Sequence, residues 1–499
     1  MAEQKAMPEN AMKPKNATEH TRKANAAVLK QLPFENRQSF ENASRGFIAT
    51  LDEVVMRRPG DGKITYDLTG LRFLSGTAPD TVNPSLWRQS QLNALHHGLF
   101  EVVDGIYQVR SFDLANMTLI RGNTGWLIVD PLTSAESSRA ALDLADKHLG
   151  ARPVTGVIYT HSHADHFFGA AGVIDPADAA CGKVAVIAPQ HFVKEALSEN
   201  VMAGNVMQRR AAYMYGNLLP HAPNGFIGNG LGANLSMGTT GFIAPNDTID
   251  KTGETRVVDG IEIVFQMTPD TEAVAEFVFY LPRFKALCTA EITSHHLHNL
   301  YTPRGAQIRD ALAWSNGINE SIERFGNKLE VQFATHHWPT WGREAAIEYL
   351  EKQRDLYKYI HDQTLRLANH GLTKEEIAEE LALPEGLAQD FSCRGCYGSV
   401  SHNSKAVYVK YLGYFDGNPA NLNPLPPLEA ARRYLDYMGG AEAVMERAGR
   451  SFEQGEYRWV AQVMNHVVLA EPENIRARSL LADACEQLGY QAESAPWRN

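Results

Sequence analysis

The run Thr160-His161-Ser162-His163-Ala164-Asp165-His166 puts four side chains able to bind a metal within six residues. Imidazole nitrogens and a carboxylate oxygen are donors that suit zinc. Side chains two apart in an extended stretch share a face, so His161 and His163 reach one point. Asp165 and His166 then turn toward a second. The loop follows the apolar run Val154-Thr155-Gly156-Val157-Ile158-Tyr159, which reads as a strand. A histidine-rich surface loop is the bland alternative, and the clustering at a strand end argues for two adjacent metal positions.

One loop cannot complete two metal sites. Three later strand-like runs each end on further ligand types. Ile261 to Met267 leads to Thr271-Glu272, Phe284 to Cys288 leads to Thr289-Ala290-Glu291, and Leu329 to Ala334 leads to Thr335-His336-His337. Taken singly, each is more simply a solvated acid or a core histidine. Together with the first loop they form a set, because strand ends are where a rigid scaffold presents side chains to a site.

The H-x-H-x-D-H signature after a strand resembles that of the metallo-β-lactamase superfamily. The longer strings resemble one branch of it, the zinc-dependent alkyl sulfatases. They include Thr81-Val82-Asn83-Pro84-Ser85-Leu86-Trp87-Arg88-Gln89, Tyr213-Met214-Tyr215-Gly216-Asn217, His336-His337-Trp338-Pro339-Thr340-Trp341-Gly342 and Asp416-Gly417-Asn418-Pro419-Ala420. Most superfamily members carry a histidine in a G-H-T segment where this chain reads Thr268-Pro269-Asp270-Thr271-Glu272, and most bridge the metals with aspartate where Glu291 stands. Both departures are shared with the alkyl sulfatases. The resemblance implies two Zn2+ per chain. His161, His163 and Glu272 would hold one, Asp165, His166 and His336 the other, with Glu291 bridging. Asp270 stands where the family leads one to expect glycine, which questions the loop backbone beside Glu272.

The implied reaction is hydrolysis of a linear or secondary alkyl sulfate ester to alcohol and inorganic sulfate. A zinc pair can lower the pKa of a shared water from about 15.7 toward roughly 7 and act as a Lewis acid on a sulfate oxygen. On the same resemblance Asp165 and Glu291 would be the metal-holding catalytic carboxylates. Arginine forks match tetrahedral oxyanions, and the family's sulfate-contacting segment corresponds to Asn299-Leu300-Tyr301-Thr302-Pro303-Arg304. Arg304 and Asn299 are therefore expected on the substrate, with Thr239 and Thr240 of a Gly-Thr-Thr-Gly loop nearby. One of His295, His296 and His298 is a candidate general acid. Met202, Met207, Met214, Phe226 and Phe242 are candidates for an alkyl channel, against a plain core role. Two other readings remain open at this point: a lactam, thioester or phosphodiester hydrolase of the same superfamily, and a non-catalytic dimeric scaffold.

Composition narrows the class. The chain has 499 residues, 44% of them hydrophobic, enough for two or more cores. A net charge of −11 argues against the basic face that nucleases with the same motif require. No apolar run approaches a membrane span. Residues 1–30 lack an apolar signal region, so the expectation is a cytoplasmic protein, or a periplasmic or secreted one whose export segment was removed. Cys393-Arg394-Gly395-Cys396 has C-x-x-C spacing without a second pair, and a structural role is expected. No cysteine begins a C-x-P-x-R segment, so formylglycine chemistry is excluded.

The elements that must position these residues follow from the pattern. Strands and helices alternate over 43–371, and with the resemblance this predicts an α/β fold, the αββα sandwich of the metallo-β-lactamases. Residues 1–42 read as a flexible lead-in, polar and rich in Lys, Asn and Glu. Residues 345–371 read as a long helix, and a loop-rich stretch follows Pro384 as far as the Pro-rich punctuator at 424–427. Three amphipathic helices are expected over 441–455, 457–469 and 474–488, in an order resembling a tetratricopeptide unit. The resemblance makes 372–499 an all-α dimerisation domain and the protein a homodimer. The family then usually continues into a sterol-carrier-like domain, which is expected to be absent from a chain ending at Asn499.

Overall fold

The computed structural model describes residues 13–499. Two sheets pack face to face and helices cover both outer faces, the αββα sandwich expected. The first sheet has eight strands in the spatial order Phe47–Ala49, Gly98–Val103, Ile106–Arg110, Met117–Arg121, Trp126–Val129, Val154–Ile158, Ala185–Pro189 and Asp247–Ile249. The second has six, Thr255–Val258, Ile261–Met267, Phe277–Leu281, Ala286–Cys288, Val331–Phe333 and Thr340–Trp341, in chain order.

The alternation of strand side chains builds the layers. Leu127 and Val129 point inward with Ile158 and Ile187, against Ile263, Phe265, Phe277, Phe279 and Phe333 of the other sheet. Trp126, Ile128, Val157 and Tyr159 point the other way, into a core shared with helices Pro84–Leu95 and Ala135–Leu149. Val278, Tyr280 and Leu287 meet Trp314, Ile318, Leu350 and Tyr357 of helices Ala311–Phe325 and Arg343–Asn369. Phe277 is fully buried between the sheets, and truncating it to alanine costs about 3–5 kcal/mol.

Register explains why ligands converge. Trp126–Val129, Val154–Ile158 and Ala185–Pro189 run parallel, so their C-terminal ends share one edge. Ala286–Cys288 and Val331–Phe333 are the parallel pair of the second sheet. The two edges are stitched together where Phe277 N donates to Thr160 O (3.1 Å) and Asn116 N to Thr335 O (2.6 Å).

Two regions differ from the sequence expectations. Within the 1–42 lead-in, residues 1–12 lie outside the described residues, and the remainder contains helices Glu19–Gln31 and Gln38–Ser44. Helix Glu19–Gln31 docks on the last long helix through polar groups: Thr21 Oγ1 donates to Gln487 Oε1 (2.8 Å) and Asn25 Nδ2 to Tyr490 O (3.1 Å). With Thr21 and Asn25 as its buried residues, this helix shows little apolar periodicity to read. Within the loop-rich stretch, Val400–Leu412 is a helix whose buried positions include Asn403, Ser404 and Ala406. Asn403 accepts from Leu300 N (2.9 Å) and donates to His298 O (2.8 Å), so its polarity serves the site.

The C-terminal helices are Pro427–Tyr437, Ala441–Glu453, Tyr457–Ala470 and Ile475–Gln491, around a core of Leu435, Met445, Val460, Met464 and Ala484. The turn at Gly455 (φ +81°) needs glycine twice over, since a Cβ there would stand 2.7 Å from the His20 ring. Preceding these helices, Tyr414, Leu422 and Leu425 are exposed apolar side chains on the connecting segment. Among the described residues no helix is long and apolar enough to cross a membrane.

Candidate metal centre

Seven ligand side chains meet where the strand ends converge. His161, His163, Glu272 and Glu291 form one group and Asp165, His166 and His336 another. Every ring is held so that one nitrogen lone pair faces inward. Thr160 Oγ1 donates to Asp130 Oδ2 (2.6 Å), so it accepts from His161 Nδ1 (3.0 Å) and leaves Nε2 of His161 free. His166 Nδ1 lies 2.7 Å from Asp130 Oδ2, and His336 Nδ1 lies 3.1 Å from Leu114 O, freeing both Nε2 atoms. His163 faces inward with Nδ1, 2.8 Å from Glu272 Oε2.

The convergence is tight. Glu291 Oε2 lies 3.3, 3.1 and 3.1 Å from Nε2 of His161, His166 and His336, between the two groups. Asp165 Oδ2 is 3.3 Å from His166 Nε2 and 3.7 Å from His336 Nε2. Nε2 of His161, His166 and His336 and Oε2 of Glu272 are buried and make no hydrogen bond. Buried polar atoms are seldom left so, and four aimed at two adjacent points fit a pair of zinc ions. Tying the outer ring nitrogen to a carboxylate, hydroxyl or carbonyl is the arrangement that orients metal-binding histidines.

The supporting shell contains residues the sequence alone did not single out. Arg309 Nη2 donates to Glu272 Oε1 (2.5 Å) and Arg309 Nε to Glu272 O (2.5 Å). Burial pushes the Glu272 carboxyl up, but Arg309 and then His163 outweigh it and hold the group below the usual range. Glu276, fully buried, accepts from Thr271 Oγ1 (2.8 Å), Ala273 N (3.1 Å) and Glu291 N (3.2 Å), which clasps the two glutamate loops together. Burial and the nearby Glu272 push its carboxyl up to about 8. Asp113 accepts from the backbone of Leu114, Thr133 and Ser236, and burial raises it to about 6. Asp270 has φ +62°, the left-handed region where glycine was expected and which aspartate tolerates.

A cavity of about 720 Å³ opens over this centre, lined by Asp165, Glu272, Glu291, Arg304, Arg309, Tyr215 and Tyr397 among others. Apolar wall comes from Leu114, Phe168, Val201, Met207, Ala211 and Leu235. Arg304 lines it as expected, with Nη1 3.3 Å from Glu199 Oε2. Thr240 lines it too, whereas Thr239 turns away and donates from N and Oγ1 to Glu136 (2.7 and 2.6 Å). Asn299 sits behind the wall and accepts from Arg309 Nη1. None of the three candidate acids lines the cavity. His298 backs Glu291 (Nε2 to Oε1 3.0 Å), His295 stacks between Trp338 and Tyr349, and His296 packs beside His337. Of the five channel candidates only Met207 lines it. Met214 and Phe226 are core, Met202 is exposed, and Phe242 packs on Phe167. Cys393 and Cys396 are buried free thiols, raised by burial, in keeping with a structural role.

A αββα sandwich with paired metal points at one sheet edge defines a binuclear metallohydrolase. Residues 110–336 match the family described as the metallo-beta-lactamase superfamily, and residues 373–499 match alkyl sulfatase dimerisation. A linear primary-alkylsulfatase of a Pseudomonas species is 53% identical over 97% of this chain and 72% of its own length. An alkyl/aryl-sulfatase of Saccharomyces cerevisiae is 49% identical over 96% of this chain and 74% of its own. The solved stereoselective inverting sec-alkylsulfatase Pisa1 from Pseudomonas sp. superposes with a TM-score of 0.95 at 46% identity, covering 97% and 77% of the two chains. The chain belongs to the alkyl sulfatases of the metallo-β-lactamase superfamily.

Proposed function

We propose that this protein hydrolyses linear or secondary alkyl sulfate esters to alcohol and inorganic sulfate. The observation that carries the reading is Glu291 Oε2 among three inward-facing Nε2 atoms on the floor of a cavity that has both arginine and apolar walls. When bound, a zinc pair supplies Lewis acidity toward a sulfate oxygen and lowers the pKa of a shared water. The chain's residues do the rest. His161, His163 and Glu272 would hold one ion and Asp165, His166 and His336 the other, with the Glu291 carboxylate between the two groups. Arg304 and Arg309 present guanidinium groups to the cavity, where the sulfate of the ester sits, and the Val201, Met207, Ala211 and Leu235 wall receives the alkyl chain. Thr240 stands at the rim; Asn299 acts on the substrate only through Arg309, which it orients.

The catalytic domain spans residues 43–371 and the helical domain 372–499, a division supported by the family match that begins at residue 373. The protein works as a homodimer through that second domain. Five free thiols, Cys181 and Cys485 exposed, suit a reducing cytoplasm. The test is sulfate release from dodecyl sulfate by purified protein with and without a zinc chelator. Chelator-sensitive release supports the reading, and no release from zinc-loaded protein on primary or secondary alkyl sulfates refutes it. Turnover in ¹⁸O-water adds the bond broken: label in the alcohol means attack at carbon, label in sulfate means attack at sulfur.

A further inference from the structure

Residues 192–214 roof the cavity: helix Phe192–Leu197, a π-helical turn Ser198–Met202, then helix Gly204–Met214. π-Helical turns re-aim side chains and recur at functional sites. This one sends Glu199 inward while Val201 and Met202 stay largely exposed. Glu199 Oε2 lies 3.3 Å from Arg304 Nη1 and 3.6 Å from His163 Nε2, the ring nitrogen opposite the one that faces the metal point. Phe192 and Met214 anchor the two ends of the roof in apolar cores, and further polar contacts join it to the 301–307 loop: Arg210 donates to Pro303 O and Tyr301 OH (2.8 Å each), and Gln307 Nε2 to Glu195 Oε2 (3.3 Å).

We propose that Glu199 is a positioning residue that ties the roof to the centre, fixing the His163 ring and the Arg304 guanidinium with one carboxylate, so that metal point and anion seat are set together. A carboxylate behind a metal-binding histidine fixes ring orientation and raises its basicity. A carboxylate on one Nη of an arginine leaves the other donors of the fork for a tetrahedral anion. The proposal rests on the alkyl sulfatase reading only for its substrate.

The test compares Glu199→Ala, the isosteric Glu199→Gln and, as a roof control, Glu195→Ala, which breaks a roof contact without touching His163 or Arg304. Zinc affinity is measured by competition with a chromophoric chelator, and KM and kcat with dodecyl sulfate. Glu199→Ala is expected to weaken zinc binding by about 10-fold or more and to raise KM, with a smaller loss of zinc affinity in Glu199→Gln and none in Glu195→Ala. Zinc affinity within twofold of wild type in both Glu199 variants overturns the proposal. So does an equal loss in Glu195→Ala, which would mean that any loosened roof suffices. Zinc affinity decides the matter even if wild type releases no sulfate, in which case only the substrate reading falls.

Discussion

Replacing Asp130 with asparagine changes one atom and should disturb both metal points. Asp130 accepts three hydrogen bonds, from Thr160 N (2.8 Å), Thr160 Oγ1 (2.6 Å) and His166 Nδ1 (2.7 Å). With the amide nitrogen in place of Oδ2, a donor faces His166 Nδ1, so the ring must carry its proton on Nε2 and lose its inward lone pair. The same donor turns the Thr160 hydroxyl around, which then donates to His161 Nδ1 and protonates that Nε2 as well. Flipping the amide restores both tautomers but sets an N–H₂ against Thr160 N–H inside a fully buried site. One such unsatisfied pair costs about 1–3 kcal/mol. The metal-free protein takes the first arrangement, and binding zinc demands the second. Affinity should therefore fall about 5- to 150-fold, since about 1.4 kcal/mol is tenfold. The assay is chelator competition near neutral pH, with circular dichroism to confirm folding. Two zinc ions bound by D130N within twofold of wild-type affinity would refute the tautomer argument.

The Asp113 carboxyl, raised to about 6 by burial, has a folded value above the unfolded one near 3.8. Its stability contribution is thus present below about pH 4 and lost as pH rises through 6, by up to about 3 kcal/mol. The stability gap between wild type and D113N, read from urea melts across pH 4 to 7, should shift in that direction, and a flat gap would count against it. Ala211→Trp fills the apolar wall and should raise KM for dodecyl sulfate several-fold more than for a short alkyl sulfate, checked with a chain-length series. Leu422→Asp with Leu425→Asp places charge on the exposed apolar segment before the C-terminal helices. Sedimentation should then show monomer at micromolar concentration, and an unchanged dimer would place the interface elsewhere.

The cluster of candidate ligands was legible in the sequence because their chemical types are rare in combination and each follows a strand. The apolar runs ending at residues 159, 267, 288 and 334 contain strands that end at 158, 267, 288 and 333, and the candidate ligands sit within a few residues of those ends. The layers were legible from alternation and from the resemblance together. What stayed hidden was whatever depends on register between distant segments. Asp130 is an unremarkable acid after Val129 until the pairing of Val129 with Ile158 puts it beside Thr160. Arg309 and Glu199 are likewise ordinary charges until folding brings them to Glu272, Arg304 and His163. The substrate contacts suffered for a related reason: neighbouring residues such as Thr239 and Thr240 alternate in direction, and spacing does not say which one faces the cavity.

Glu272 in place of the histidine usual in the superfamily makes physical sense only with Arg309. A histidine has one nitrogen for a metal and one for a neighbour, and a neighbouring buried guanidinium would repel its N–H. A glutamate can give Oε2 to the metal point, 2.8 and 3.2 Å from His163 and His161, and Oε1 to Arg309. The carboxylate ligand therefore permits a buried arginine on the cavity wall. Glu272 O, Glu272 Oε1 and the two oxygens of Asn299 take four of its five N–H groups, and the remaining Nη2 N–H is left to meet a tetrahedral, monoanionic ester. Arg309→Leu should accordingly do two separable things. It should leave Glu272 Oε1 buried without its partner, weakening zinc at the His161–His163 point. It should also weaken inhibition by inorganic sulfate by more than the zinc loss explains when both are measured on zinc-saturated protein. Sulfate inhibition that stays at the wild-type level under saturating zinc would confine Arg309 to holding Glu272.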